Sequence, residues 1–152
     1  MAKATGRDAA EKAQEADHRR EQALDAALKQ IEKSVSAGTD GVDADMAFHC
    51  SIAQATGNPH FVALAEFIGP FLRSAMQVTR AYEAGSEELL RQVKQEHQAI
   101  VAAIAAQDAV AARAAARGHL ENAMQRISSA DQNFWSGEGG RHASALTNPV
   151  AT

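Results

Sequence analysis

Asp45 and His49 lie four positions apart in the stretch DMAFHC, 45–50. That spacing stacks two side chains one turn apart on the same helix face. Met46, Phe48 and Ile52 flank them, so the face expected to be apolar carries a carboxylate and an imidazole. His97 interrupts a second apolar stripe, Leu90, Val93, Ile100, Val101 and Ile104, and His119 shares a face with Ala112, Ala116 and Ala123. The other three histidines have no such setting: His18 lies in a polar segment, His60 follows a proline that opens a helix, and His142 lies in the C-terminal tail.

Two readings fit these four residues. A single histidine on an apolar face is most often a core residue satisfied by one hydrogen bond. Three of them plus a carboxylate, on three helices, would cost about a few kcal/mol each if buried without partners. A shared divalent cation removes that cost, because imidazole nitrogen and carboxylate oxygen are its natural ligands. The set suits one Zn²⁺, Ni²⁺, Mn²⁺ or Fe²⁺ ion, zinc or nickel being favoured, and an octahedral ion would keep two positions for water or a carboxylate. The same ligands would also suit metal-assisted hydrolysis, so a stand-alone hydrolase or other metalloenzyme is the alternative function. Against it, Glu96 is the one acid–base candidate nearby, and neighbours on a helix diverge by about 100°. HExxH, a glycine-rich phosphate loop and a spaced Ser-His-Asp set are all absent. A purely structural metal site in a dimerisation module is a third possibility.

The elements that must position these residues are helices. Apolar residues recur at three and four in nearly every long segment, and no stretch alternates as a strand would. The spacing predicts helices over about 7–36, 43–55, from 58 onward, 87–106 and 109–129. Gly57 suits a C-cap and Pro59 a first turn. In the third helix Phe61, Leu64, Ala65, Ile68, Phe71 and Leu72 form an expected core face, and Gly69-Pro70 is expected to kink or split it. The residues sort into a lead at 1–20 that is a remnant of the first helix or disordered, a helical body at 21–135, and a flexible tail at 136–152. Phe134 and Trp135 would cover the bundle end or a partner surface. The expected fold is all-α, an antiparallel bundle of about six helices around an internal metal or effector cavity.

Composition is compatible with this. The 152 residues suffice for one domain with a real core, with 45% apolar and 22% charged residues. A formal charge of −4 argues against a surface built to grip nucleic acid. The single cysteine, Cys50, excludes an internal disulfide. No apolar run is expected to reach the length of a membrane span, and the N-terminus has no apolar signal core; a cytoplasmic protein without membrane contact is expected.

The motifs DMAFH at 45–49, ATGNPHF at 55–61, EHQAIVAAIAAQD at 96–108 and AARAAARGHL at 111–120 occur in this order. Together they resemble the C-terminal effector-binding domain, called FCD, of FadR-type GntR transcription regulators, over about residues 24–127. The resemblance implies that Asp45, His49, His97 and His119 hold a divalent metal inside a helical bundle, that a small organic acid reaches it, and that the domain forms a homodimer. It further implies that DNA is met only through a winged-helix module, for which these residues offer no match. The first-helix stretch RDAAEKAQEADHRR departs from the family pattern, and the Gly69-Pro70 break points to a subgroup with one extra helix. Arg73 and Asn122 are the expected effector contacts, Asn122 lying one turn after His119. Arg73 reads equally well as an arginine reaching into solvent. A metal site favours small polar acids over long apolar ones, and the protein is expected not to be an enzyme.

Overall fold

The computed structural model describes residues 2–147, with side chains described for 11–144. Among the described residues seven helices follow in order: α1 (Ala2–Ser36), α2 (Val42–Ala55), α3 (Pro59–Glu83), α4 (Glu87–Ala105), α5 (Ala109–Ser128), α6 (Gln132–Ser136) and α7 (Glu138–Thr147). Among the described residues there is no strand, as the periodicity predicted.

The helix boundaries follow from local chemistry. Asn58 caps α3 by accepting from the His60 N–H at 3.0 Å, with Pro59 in the first turn where its missing donor costs nothing. Ser86 caps α4, and Asp108 caps α5 by accepting from Val110 and Ala111. Gly41 ends the α1–α2 loop at φ +71°, and a Cβ there would stand 2.6 Å from the Arg80 guanidinium. Only glycine meets both conditions without strain.

Short loops bring consecutive helices together. Helix α2 packs between α1 and α3, α4 pairs with α5, α1 also meets α4, and α3 also meets α5 and α7. The core gathers Leu24 and Ile31 from α1, Ala44 and Phe48 from α2, and Ile100 and Val101 from α4. Phe48 is fully buried and sets its ring against that of His97, with centroids 4.7 Å apart. The core therefore ends where the histidines begin.

Four expectations need correction. Gly69-Pro70 does not split the third helix: α3 is continuous for 25 residues with Pro70 inside it. Pro70 and Glu66 are both exposed, so water can satisfy the Glu66 carbonyl that proline leaves without a donor. The additional helices lie instead at the C-terminal end, where α7 packs on α3 within the expected tail. The segment before Glu21 belongs to α1; Met1 and residues 148–152, part of the expected lead and tail, lie outside the described residues. The expected core face of α3 is divided: Phe61, Leu64 and Phe71 are exposed, Phe71 at 66%, with Phe67 beside them, whereas Ala65 and Ile68 are half-buried. Finally, α3 is long and apolar enough to cross a membrane by length and composition, where no such run was expected. Its buried residues Val78, Arg80 and Glu83 belong to the bundle interior.

Candidate metal centre

Helices α2, α4 and α5 each contribute one histidine to a single point. The nearest ring nitrogens of His49, His97 and His119 all lie within 4.8 Å of one another. The rings of His97 and His119 are 4.6 Å apart, and those of His49 and His119 stack at 5.4 Å. Asp45, one turn before His49, brings Oδ1 to 3.4 Å from His97 Nε2 and 3.6 Å from His49 Nε2, and neither contact closes a hydrogen bond. All four expected ligands thus converge.

The centre is short of partners. Asp45 Oδ1 and both ring nitrogens of His97 are buried and make no hydrogen bond. Each such atom costs about 1–3 kcal/mol relative to its hydrated state. Burial, reinforced by His119 and His49 and by the cations Arg80 and Arg126, pushes His97 down to about 2. His49 is also lowered, first by burial, against the opposing pull of Asp45. Both rings are therefore neutral near pH 7, so their contacts with Asp45 are not ion pairs. Neutral imidazoles with free lone pairs beside a carboxylate oxygen are the donor set a divalent ion requires, and the residues fit one.

Around the centre lies a charged frame. Glu96 of α4 takes His119 Nδ1 at 2.9 Å, which leaves Nε2 of that ring for the centre. Arg126 of α5 grips Glu96 through two bonds, 2.8 and 3.1 Å, and donates to Glu83 of α3 at 3.0 Å. Burial raises Glu96, but hydrogen bonds from Arg126, His119 and Asn122 outweigh it, and the carboxyl is held below its ordinary range. Glu83 is pushed up to about 7, chiefly by burial, with Arg126 and Arg80 acting against the shift. Arg80 itself donates to the Asp40 carbonyl, which ties α3 to the loop before α2.

Outside this frame a cavity of about 480 Å³ opens onto Asp45, His49 and His119 between α3 and α5. The two expected effector contacts do not line it. Arg73 is exposed and donates to Asp43 at 2.6 Å. Asn122 donates to Glu96 at 2.8 Å and so supports His119 indirectly. Of the aromatic pair after α5, Trp135 lines the cavity and Phe134 packs against Tyr82. Sequence reasoning missed Arg126 and Glu83. Arg126 had a signal, since it lies seven residues after His119 and hence two turns along the same face; Glu83 had none, because its role depends on how α3 crosses α5.

Comparison with known proteins gives matching results. The model of the FCD domain family matches residues 2–122, a span holding all four converging residues. The chain is also similar to the HTH-type transcriptional regulator LutR of Bacillus subtilis (strain 168), 34% identical over 121 residues, which are 79% of this chain and 54% of that protein. The chain spans about half the length of this curated relative.

Proposed function

The chain belongs to the FCD domain family, the effector-binding domain of GntR-type transcription regulators, and from that premise we propose that it is a metal-dependent sensor of a small organic acid. The observation that carries the reading is the set of orphaned buried atoms, Asp45 Oδ1 and the two His97 nitrogens, inside three converging histidines. A divalent ion held by Asp45, His49, His97 and His119, with zinc or nickel favoured by so nitrogen-rich a set, would supply Lewis-acidic positions for a carboxylate oxygen.

The chain's own residues orient and transmit. Glu96 fixes the tautomer and tilt of His119, and Asn122 acts by holding Glu96. Arg126 reaches from α5 to Glu96 on α4 and Glu83 on α3, so a displacement of His119 is shared by three helices. A ligand shifts their packing only to the extent that it binds one arrangement more tightly than another. The LutR relative carries an HTH name and is about twice as long as the matched segment. By that analogy DNA is met through a separate winged-helix module, and the domain acts in the cytoplasm as a homodimer. A hydrolytic role finds less support, because Glu96, the acid–base candidate, already binds Arg126, His119 and Asn122.

Elemental analysis of the purified protein beside a His97→Ala, His119→Ala double variant tests the reading. About one divalent ion per wild-type chain, absent from the variant, is expected. Carboxylates should then raise the melting temperature, by about 2.7 kcal/mol of added stability at a hundred times Kd. A wild-type chain that takes up no ion from Zn²⁺, Ni²⁺ or Mn²⁺ solution rules out the mechanism.

A further inference from the structure

We infer that the effector is a monocarboxylate with an extended apolar body, its head at the Asp45–His49–His119 end of the cavity and its body along the space between α3 and α5. This rests on the sensor reading above and adds the chemical class of the ligand. The volume of about 480 Å³ falls within the roughly 300–1,000 Å³ usual for small-molecule sites. Away from the histidines the walls are Leu72 and Met76 of α3, Leu120, Met124 and Ile127 of α5, and Trp135 of α6. Flexible methionines on both sides let the wall adapt to the body of the ligand.

Charge decides the class. Among the described residues, no lysine or arginine lines this cavity, and its only other ionisable group besides the converging residues is Glu83. A second carboxylate on the ligand would face Asp45 and Glu83 near the head, and farther along it would meet no cation, only the apolar wall whose outer members Leu120 and Met124 are exposed. A polyhydroxylated acid meets the same wall with Thr79 as its single hydroxyl partner. A methylene chain, by contrast, gains with each carbon that leaves water, about fourfold in affinity per CH₂. The cavity therefore departs from the small polar acid that a metal site alone suggests.

Isothermal titration of the Zn²⁺-loaded protein with acetate, butyrate, hexanoate, octanoate, succinate and citrate tests this. Affinity should rise about fourfold per methylene until the cavity fills, and succinate should bind at least tenfold more weakly than butyrate. Ala123→Leu and, on the facing helix, Ala75→Leu narrow the cavity. Each should weaken octanoate at least tenfold more than acetate, and the pair guards against one variant misfolding. Equal affinity along the series, or succinate or citrate binding more tightly than octanoate, overturns the class and leaves carboxylate sensing intact. Octanoate bound equally well by metal-stripped protein overturns the placement of the head. Failure of every carboxylate to bind overturns the inference together with the sensor reading.

Discussion

Glu96 shows how a residue outside the converging set of histidines can orient it. Its carboxylate accepts from His119 Nδ1, Asn122 and Arg126 at once. Glu96→Gln keeps the size of the side chain, removes its charge and turns one oxygen into a donor facing other donors. Supporting groups of this kind typically account for roughly 10–100-fold in metal affinity. A loss of that size is expected for Glu96→Gln by competition with a chromophoric chelator, with helical content unchanged. Unaltered affinity would mean that His119 is positioned by packing alone. Asp45, His49, His97 and His119 were legible in the sequence because each breaks an apolar period, which is a local signal. The Glu96–Arg126–Glu83 chain was not legible, because charged residues normally sit on a solvated face and only the approach of α3, α4 and α5 encloses them.

At the level of elements, the loop before α2 holds the site from outside. Gly41 is left-handed, and its missing Cβ makes room for Arg80, which is buried against the Asp40 carbonyl and Glu83. Gly41→Ala adds about 1–2 kcal/mol of backbone strain and pushes a buried guanidinium that has little freedom to move. A loss of about 2 kcal/mol is expected in urea denaturation of the metal-free protein, as a lower midpoint at unchanged slope. An unchanged midpoint would mean that Arg80 relaxes freely. The five long helices were readable to within a few residues from their periods and from punctuation such as Gly57 and Pro59, whereas the short α6 was not. Helix α7 was not, because Glu138–Thr147 has two glycines and little apolar character, and it lies against α3 in a tertiary contact that no local pattern announces.

On the scale of the whole molecule, the two sides of α3 serve different ends. Its C-terminal half brings Arg80 and Glu83 to the frame around the histidines. Its N-terminal half turns Phe61, Leu64, Phe67 and Phe71 outward along one stripe. Isolated exposed apolar residues are ordinary, but a contiguous aromatic stripe on one helix is the kind of surface that a partner covers. Periodicity marked Phe61, Leu64 and Phe71 as apolar positions of one helix but placed them in the chain's own core; which molecule covers them is information that a single chain does not encode. A second copy of the same chain would place two such stripes against each other about a twofold axis, where a self-complementary face suffices. The wild-type domain is therefore expected to sediment as a dimer at micromolar concentration, and Phe67→Glu, Phe71→Glu to sediment as a monomer. Both changes lie on exposed side chains, so the double variant should keep its helicity and its metal content. An interface on α3 would put it and part of the frame on one helix, so effector affinity and dimer affinity should then be linked reciprocally, each changing the other by the same factor. A variant that stays dimeric would assign the interface to another face and leave the aromatic stripe of α3 to a different partner.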